Sequence, residues 1–317
     1  MIINKQTIGP GEKKTIRITV GRLPSDTRID LYVHVNRSQK KGPVLLLMAG
    51  IHGDEINGVE IIRRYVAQSK NEELLCGSVI AIPVLNIYGF NNFSRDVPDG
   101  KDVNRSFPGS ARGSLASRVA RLFTKNILPL IDFGIDFHTG GQNHFNYPQI
   151  RYTTGHSESL QLAKAFAAPF TIAAKPIPRS LRRVAVDAGK PVIVFEGGEN
   201  RRFDGYCIAK GLAGTQRVMA AYGMAAGAMP VSDESIFISS RTWVRAKRPG
   251  MFRWWKQSGQ KVVRGEPMGV INDPYGKEEH HVVSPRNGYI IGHNNAPVVG
   301  QGDALFHIGE RMKEGEE

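Results

Sequence analysis

Two histidines and a glutamate lie in contexts that suit metal binding. His52 and Glu55 are three residues apart in the segment GIHGDE (50–55), and His138 lies in the segment DFHTGG (136–141). Imidazole nitrogens and carboxylate oxygens are common zinc ligands, and three protein ligands with one open position are typical of a catalytic zinc site. We therefore predict that His52, Glu55 and His138 bind one zinc ion per chain. The same donors also accept other divalent first-row ions.

A further carboxylate could act as the base that accepts a proton from water. It is Glu196, which ends the apolar run PVIVFE (191–196). Hydrolysis by metal-activated water needs such a base, which later returns the proton to the leaving nitrogen. Glu199 is the alternative, but two glycines separate it from that run, which favours a loop carboxylate. Asp136 could be structural or could orient a metal ligand.

The segment DVNRSFPG (102–109) carries groups that suit capture of a carboxylate. Arginine binds carboxylates through two parallel hydrogen bonds, and asparagine adds a donor. Arg105 and Asn104 are therefore our candidates for binding a substrate carboxylate. A second arginine could polarise the scissile carbonyl group and stabilise the developing oxyanion. Arg95 is the nearest candidate upstream, and solvent exposure without a role is the alternative for it.

Alternating strands and helices are predicted to position these residues. The apolar runs 43–50, 78–83, 134–138 and 191–196 suit strands that are buried on both faces. Helices are expected at 57–67, 115–127, 157–168 and 210–228, and a strand hairpin at 15–35. This alternation is typical of an α/β domain with a mixed, mainly parallel sheet and helices on both faces. Ligands bind such sheets beyond the carboxyl ends of the strands, where His52 and His138 lie.

The composition changes near residue 230, after which the sequence shows only short strand-like segments. We expect a catalytic domain at 1–232, a small all-β domain at 233–310 and a disordered tail at 311–317. The β domain resembles the lipoyl/biotinyl type of sandwich through the segment SPRNG (284–288) and a recurring Val-Val and glycine-turn pattern. Lys277 lies near the position of a carrier lysine, but its sequence context differs. A structural or site-covering role is therefore favoured over covalent carriage.

Composition and charge narrow the classes of partner. The chain has 317 residues, of which 41% are hydrophobic and 22% charged, and this is ordinary for a globular protein. Its formal charge is +13, but the basic residues are scattered and match no nucleic-acid-binding motif. We expect no nucleic-acid partner. Part of the positive charge should instead attract a small anionic substrate.

Cysteine usage and hydropathy indicate a cytoplasmic protein. Cys76 and Cys207 form no CxxC pair, so a thiolate zinc site is not expected, and two free thiols suit a reducing compartment. The N-terminus lacks the apolar region of a signal peptide. No apolar run approaches the roughly 18 to 20 residues that a membrane helix needs. We expect no membrane association, and a homo-oligomer is compatible with the sequence.

Four segments, taken in order, resemble the succinylglutamate desuccinylase/aspartoacylase family of the zinc carboxypeptidase-like superfamily. They are HGDE (52–55), DVNRSFPG (102–109), DFHTG (136–140) and FEGG (195–198). The resemblance covers roughly residues 40–230. It implies that His52, Glu55 and His138 are zinc ligands and that Glu196 is the general base. It also implies that Asn104 and Arg105 bind the substrate carboxylate and that Arg95 polarises the scissile carbonyl group.

The sequence also departs from aspartoacylases, since GGEN (197–200) replaces a Gly-Pro-Gln type of segment and the C-terminal part is longer.

Our first hypothesis is an amidohydrolase that cleaves N-acyl amino acids or related carboxylate-bearing substrates. The alternative is a carboxypeptidase-like metallopeptidase that acts on small or γ-linked peptides with the same residues. A non-catalytic binding module is disfavoured because both the ligands and the base are present.

Overall fold

Strands and helices alternate up to residue 227, and after that point the described chain contains only strands. The computed structural model describes residues 1–227, 230 and 234–312. The strands are β1 (Ile2–Ile3), β2 (Gln6–Thr7), β3 (Lys13–Arg22), β4 (Arg28–Arg37), β5 (Val44–Ala49), β6 (Ser78–Ile82), β7 (Phe133–Gly140), β8 (His144–Thr153), β9 (Phe170–Ala174), β10 (Val192–Glu199), β11 (Ile236–Arg245), β12 (Gly250–Trp254), β13 (Lys261–Val262), β14 (Pro267–Asn272), β15 (Glu279–Val283), β16 (Gly288–Asn294), β17 (Val298–Val299) and β18 (Ala304–Arg311). The α-helices are α1 (Ile56–Gln68), α2 (Ile87–Asn91), α3 (Leu115–Asn126), α4 (Ser157–Phe166), α5 (Leu181–Asp187) and α6 (Gly205–Ala221).

The centre of the fold is a block of parallel strands in the order β6, β5, β7 and β10. Successive side chains of β5 point to opposite faces, as the pleat requires. Leu46 and Met48 enter one apolar core, whereas Leu45 and Leu47 enter the other. Both faces are therefore covered, which explains why this strand is a continuous apolar run.

Helices cover each face of this block. The first core takes apolar residues from α3 and α5, and the second takes them from α1, α4 and α6. The predicted α/β layering with helices on both faces is thus confirmed. None of the helices within the described ranges is long and apolar enough to cross a membrane.

The sheet is mixed, as predicted, but less of it is parallel than the sequence suggested. Twelve strands follow the order β13-β16-β18-β11-β9-β8-β10-β7-β5-β6-β4-β3. Parallel pairing holds the central block and joins β8 to β9 and β9 to β11, whereas the other pairs are antiparallel. The reason is that β8 follows β7 through a three-residue connection, which reverses the chain direction. The predicted hairpin at 15–35 is confirmed as β3 and β4.

The C-terminal strands form two sheets that pack over a shared core. One is the separate sheet β15-β14-β12-β17, and the other is β13-β16-β18-β11. The second sheet continues the large sheet of the α/β part, because β11 pairs with β9 and β16 pairs with β8. The region is therefore joined to the rest of the fold by backbone hydrogen bonds. Its resemblance to a lipoyl/biotinyl sandwich stays a prediction.

Some predicted boundaries shift in the structure. Helix α6 begins at Gly205, five residues before the predicted start at Lys210, because the Asp204 carboxylate accepts a hydrogen bond from the Cys207 N–H and caps the helix. Residue 228, the predicted end of this helix, lies outside the described residues. So do the predicted domain boundary after 232 and residues 313–317 of the predicted tail. Arg311, where that tail was expected to begin, ends β18.

Candidate active site

Neighbouring parallel strands bring the predicted ligands together at one edge of the sheet. Gly50 directly follows β5 and has a φ of 62°, in the left-handed region, and a Cβ there would lie 2.9 Å from the Cα of Val84. A glycine is needed at this turn, which directs His52 back over the sheet edge. His138 lies in β7 in register with Glu196 of β10. The strand ends therefore place these side chains side by side.

His52, Glu55 and His138 form a buried cluster in which one ligand atom from each residue lies within 4.8 Å of the others. The two oxygens of the Glu55 carboxylate face the two imidazoles. Oε1 is 2.7 Å from Nδ1 of His52, and Oε2 is 2.9 Å from Nδ1 of His138. The Thr139 N–H also donates to Oε2 at 3.0 Å, which fixes the carboxylate. The cluster is thus pre-arranged around Glu55.

Each imidazole has a second carboxylate behind it. Nε2 of His52 lies 3.3 Å from Oδ1 of Asp102, and Nε2 of His138 lies 3.0 Å from Oδ2 of Asp136. An ionised carboxylate only accepts hydrogen bonds, so each of these two contacts is a hydrogen bond when Nε2 carries a proton. Metal-binding histidines are commonly oriented in this way. Of the two roles considered for Asp136, the geometry matches the orienting one, and the partnership of Asp102 with His52 was not predicted.

Burial and charge act in opposite directions on these imidazoles. Burial by itself would lower the pKa of each histidine. Glu55 and Asp102 outweigh it and raise the pKa of His52, and Asp136 and Glu55 raise the pKa of His138 well above its ordinary value. In turn, although burial works in the other direction, the two imidazoles hold the pKa of Glu55 well below its usual range.

The chemistry of this donor set fits a divalent cation. Nδ1 of each ring faces a Glu55 oxygen. When Nε2 carries the only proton of the ring, Nδ1 is an acceptor that faces another acceptor, the carboxylate oxygen. Such an arrangement is stable only when protons or a cation lie between the acceptors. Two neutral imidazoles and one carboxylate are a common zinc ligand set. We conclude that these three residues fit the predicted metal.

Glu196 lines the same cavity as the cluster, whereas Glu199 does not. The Asn146 amide donates to one Glu196 oxygen at 2.7 Å, and Arg151 lies 2.9 Å from the other. Glu199 is also buried, but the Asn295 amide from the C-terminal region donates to it at 2.6 Å. Glu199 thus connects two parts of the fold, and Glu196 is the carboxylate that faces the cavity.

Arg95 reaches the cluster from a loop. One of its terminal nitrogens lies 3.4 Å from Oε1 of Glu55, and the other donates to Asp102 at 2.8 Å. Asp102 therefore contacts both Arg95 and His52, and these cations lower the pKa of its carboxyl group against the effect of burial. The structure places Arg95 beside the predicted metal ligands, where a carbonyl group could be polarised.

Asn104 and Arg105 line the cavity, but the Asn104 side chain is held by a hydrogen bond within the fold, whereas Arg105 is exposed. The side-chain oxygen of Asn104 accepts a hydrogen bond from the backbone N–H of Leu181, so this residue ties its 3-10 turn to α5. Arg105 is exposed; its guanidinium donates to the Asn104 carbonyl oxygen at 2.8 Å and lies 3.9 Å from Oδ2 of Asp102. Its guanidinium remains available to an anion that enters the cavity.

Two further arginines in the cavity were missed from the sequence. Arg182 is only 7% exposed, its Nη1 has no partner among the described residues, and Nε of Arg151 likewise lacks one. Burial, together with the charge of Arg151, lowers the pKa of Arg182 to about 10. Unpaired buried donors are costly, so this pair is prepared for an anion. Two features of the sequence could have indicated these residues: Arg151 is a charged residue within a strand, and Arg182 belongs to the Arg-Arg pair in α5.

The C-terminal region supplies one wall of the cavity, which has a volume of about 440 Å³. Trp243 and Arg245 of β11 line it together with the cluster. The Trp243 ring stacks on His307 at 4.2 Å and contacts His144 edge-on at 5.6 Å. These residues were also not predicted, because nothing local in the sequence shows which face of β11 meets the catalytic strands.

The fold and site together define an α/β protein with a His-Glu-His cluster at the carboxyl ends of parallel strands, beside an arginine-rich cavity. Residues 41–222, more than half of the chain, match the family described as the succinylglutamate desuccinylase/aspartoacylase catalytic domain. The chain belongs to this family, as the sequence segments suggested.

Similar proteins cover nearly the whole chain. An N-alpha-acetyl-L-2,4-diaminobutyric acid deacetylase of Halomonas elongata is 27% identical over 287 residues, which are 85% of this chain and 83% of that protein. A succinylglutamate desuccinylase/aspartoacylase structure from Rhodobacter sphaeroides has a TM-score of 0.84 at 24% identity and covers 95% of this chain and 96% of its own. The product-bound ectoine utilization protein EutE (DoeB) of Ruegeria pomeroyi has a TM-score of 0.84 at 21% identity, covering 94% and 95%. At these identities the structures show a shared fold, which includes the C-terminal strands.

Proposed function

We propose that this protein is a zinc-dependent hydrolase that cleaves the amide bond of an N-acyl amino acid carrying a carboxylate. The observation that carries the proposal is one cavity that holds both the His52, Glu55 and His138 cluster and the unpaired buried donors of Arg151 and Arg182. The similarity to a deacetylase of an acetylated amino acid supports the same class of reaction.

His52, Glu55 and His138 would hold the metal, and Asp102 and Asp136 would keep the two imidazoles in the tautomer that leaves Nδ1 free. A bound zinc ion supplies Lewis acidity, which polarises a carbonyl group and lowers the pKa of water. The Arg95 guanidinium adds positive charge beside the cluster, where negative charge develops on the carbonyl oxygen during attack.

Glu196 is the proposed base. It accepts a proton from the attacking water and delivers it to the nitrogen of the leaving amine, so that the carbon–nitrogen bond breaks and an acid and an amine result. Asn146 and Arg151 hold its carboxylate at a fixed position in the cavity. This orientation matters because proton transfer requires hydrogen-bond reach.

Substrate recognition is assigned to cationic groups around the scissile bond. Arg105 is exposed and lies 3.9 Å from the Asp102 carboxylate, a long contact that leaves it able to pair with a substrate carboxylate in the cavity, and Asn104 fixes the turn that carries it. Arg151 and Arg182 offer donors deeper inside. Two separate sets of arginines favour a substrate with more than one anionic or strongly polar group.

The C-terminal strands at 234–312 would act as a cover for the site. Trp243 and Arg245 line one side of the cavity and also line a second cavity along β11. This neighbouring space supports the second candidate function, removal of an amino acid from a short peptide, because a peptide needs room beyond the scissile bond. Both functions use the same catalytic groups and differ in the length of the acyl part.

A substrate panel tests the proposal. The zinc-loaded protein would be assayed for amine release with acetyl and succinyl derivatives of single amino acids and with short peptides. We expect turnover of acyl amino acids, whereas Glu196→Gln retains the metal and loses about 100-fold to 10,000-fold in kcat, the usual contribution of a positioned base. Full activity of Glu196→Gln would remove Glu196 from its role. No turnover of any amide in the panel would contradict the proposed function.

A further inference from the structure

A second cavity of about 770 Å³ adjoins the active site within the C-terminal region. We call it the basic groove and define it by Lys247, Arg248, Arg264 and the strand edges of β11 and β15. Trp243 and Arg245 line both this groove and the active-site cavity. We propose that the basic groove binds an acidic peptide chain that forms the acyl side of the substrate and extends out of the active site.

Charge in the basic groove favours an anionic ligand. Arg245, Lys247, Arg248 and Arg264 line it, whereas Glu279 is its one lining carboxylate among the described residues. Arg248 already pairs with Glu278 at 2.9 Å. The side chains of Lys247 and Arg264 are exposed and have no hydrogen-bond or ion-pair partner within the described part of the chain. Unpaired cations in a concave surface raise the local concentration of anionic groups.

The backbone around the basic groove favours an extended peptide. β11 pairs with β18 from Ile238 to Arg245, but on its other side β9 reaches only from Ile236 to Ile238. No strand within the described ranges pairs with the rest of that edge. β15 pairs with β14 on one side, and no described strand pairs with its other side. Open strand edges expose N–H and C=O groups that an extended peptide can pair with.

The wall that the two cavities share, formed by Trp243 and Arg245, links this ligand to catalysis. Trp243, which is 40% exposed, and Arg245 line the cavity that holds the cluster and also the basic groove. An acyl part longer than one residue would pass this ring and Arg245 before it reaches Lys247 and Arg264. Water cleaves the amide, its OH stays with the peptide acyl carbon, and its remaining hydrogen goes to the amine of the released amino acid.

This inference rests on the proposed amide hydrolysis, and the experiment separates the two. Tetraglutamate with an acetylated N-terminus would be titrated by calorimetry into the full-length zinc-loaded Glu196→Gln variant, which is slow to hydrolyse it, and tested as a competitor of acyl amino acid hydrolysis by the unaltered protein. We expect binding that competes with the small substrate. The double variant Lys247→Ala/Arg264→Ala should weaken tetraglutamate binding by about fivefold to tenfold at low ionic strength, because exposed charge pairs are individually weak. Arg253→Ala, an exposed β12 arginine outside both cavities, is the matched control.

The outcomes discriminate clearly. Equal affinity for tetraglutamine, or no effect of the double variant, overturns the role of the basic groove. Tetraglutamate binding that depends on Lys247 and Arg264 without inhibiting hydrolysis overturns the link to the substrate and indicates docking of an acidic segment of another protein. Absence of turnover with every amide, while calorimetric binding persists, contradicts the proposed function and leaves the groove measurement intact.

Discussion

Replacement of Arg182 by methionine should make the free protein more stable and its substrate binding weaker. The side chain is buried at the N-terminal end of α5, where the helix dipole already disfavours a cation. Nη2 donates to the Lys175 carbonyl oxygen at 3.1 Å, but Nη1 has no partner among the described residues. Methionine has a similar length and carries no charge.

The size of the effect follows from the pKa of Arg182. Burial and the neighbouring charge of Arg151 lower it from 12.5 to about 10, a difference of about 3 kcal/mol at 1.36 kcal/mol per pKa unit. The folded pKa lies below the unfolded one, so this cost is fully present below pH ~10 and is relieved as the pH rises toward the unfolded value. Loss of the bond to Lys175 offsets about 1.5 kcal/mol. The free energy of unfolding should therefore rise by about 1 to 2 kcal/mol, or about 1.5 to 3 °C in Tm.

The assay compares thermal unfolding and steady-state kinetics with those of Arg183→Met. Arg183 is the next residue, but it is exposed and paired with Asp187. For Arg182→Met we expect a higher Tm, unchanged metal content and a KM that is higher by about 10-fold to 100-fold, because a hydrogen bond to a charged group contributes about 1.5 to 3 kcal/mol. A variant that is less stable and keeps its KM would refute the assignment of Arg182 to anion binding.

Two other predictions concern histidines. His52→Ala should lose the bound metal by elemental analysis while its far-UV circular dichroism stays unchanged; retained metal at full stoichiometry would contradict the ligand assignment. His293 is buried against Ser258, and burial lowers its pKa to about 4. The unfolded chain therefore takes up a proton before the folded one, and the free energy of unfolding should fall as the pH drops from about 6.5 to about 4. In urea titrations His293→Gln should flatten this dependence, and an unchanged slope would count against it.

The sequence allowed the central strands and the metal cluster to be predicted because both depend on local patterns. An apolar run that ends beside a glycine and a histidine or glutamate indicates a buried parallel strand with a polar group at its carboxyl end. His52, His138 and Glu196 follow this rule, Glu55 lies three residues after His52, and the structure brings all four to one edge of the sheet. Their chemical roles remain predictions until the variants are measured.

The missed residues depend on contacts between distant segments. Asp102 was considered only as part of a loop, yet its carboxylate lies between His52 and Arg95. Arg151 and Trp243 occupy strands whose inward face is set by pairing partners far along the chain, and strand periodicity alone leaves that face undetermined. The more antiparallel sheet has the same origin, since the direction of β8 follows from the short turn before it.

The way the C-terminal strands join the sheet predicts that the catalytic region is not autonomous. Phe170 and Ile172 of β9 are buried against Ile238 and Ile291, and the latter two belong to β11 and β16. A chain ending at residue 232 would expose these apolar side chains and the edges of β8 and β9, which favours aggregation. It would also unpair Asn146 from Gly292, and Asn146 is the residue that holds Glu196. We expect this shortened chain to form large species in analytical ultracentrifugation. A well-folded monomer with full metal binding would instead show that the two parts fold separately.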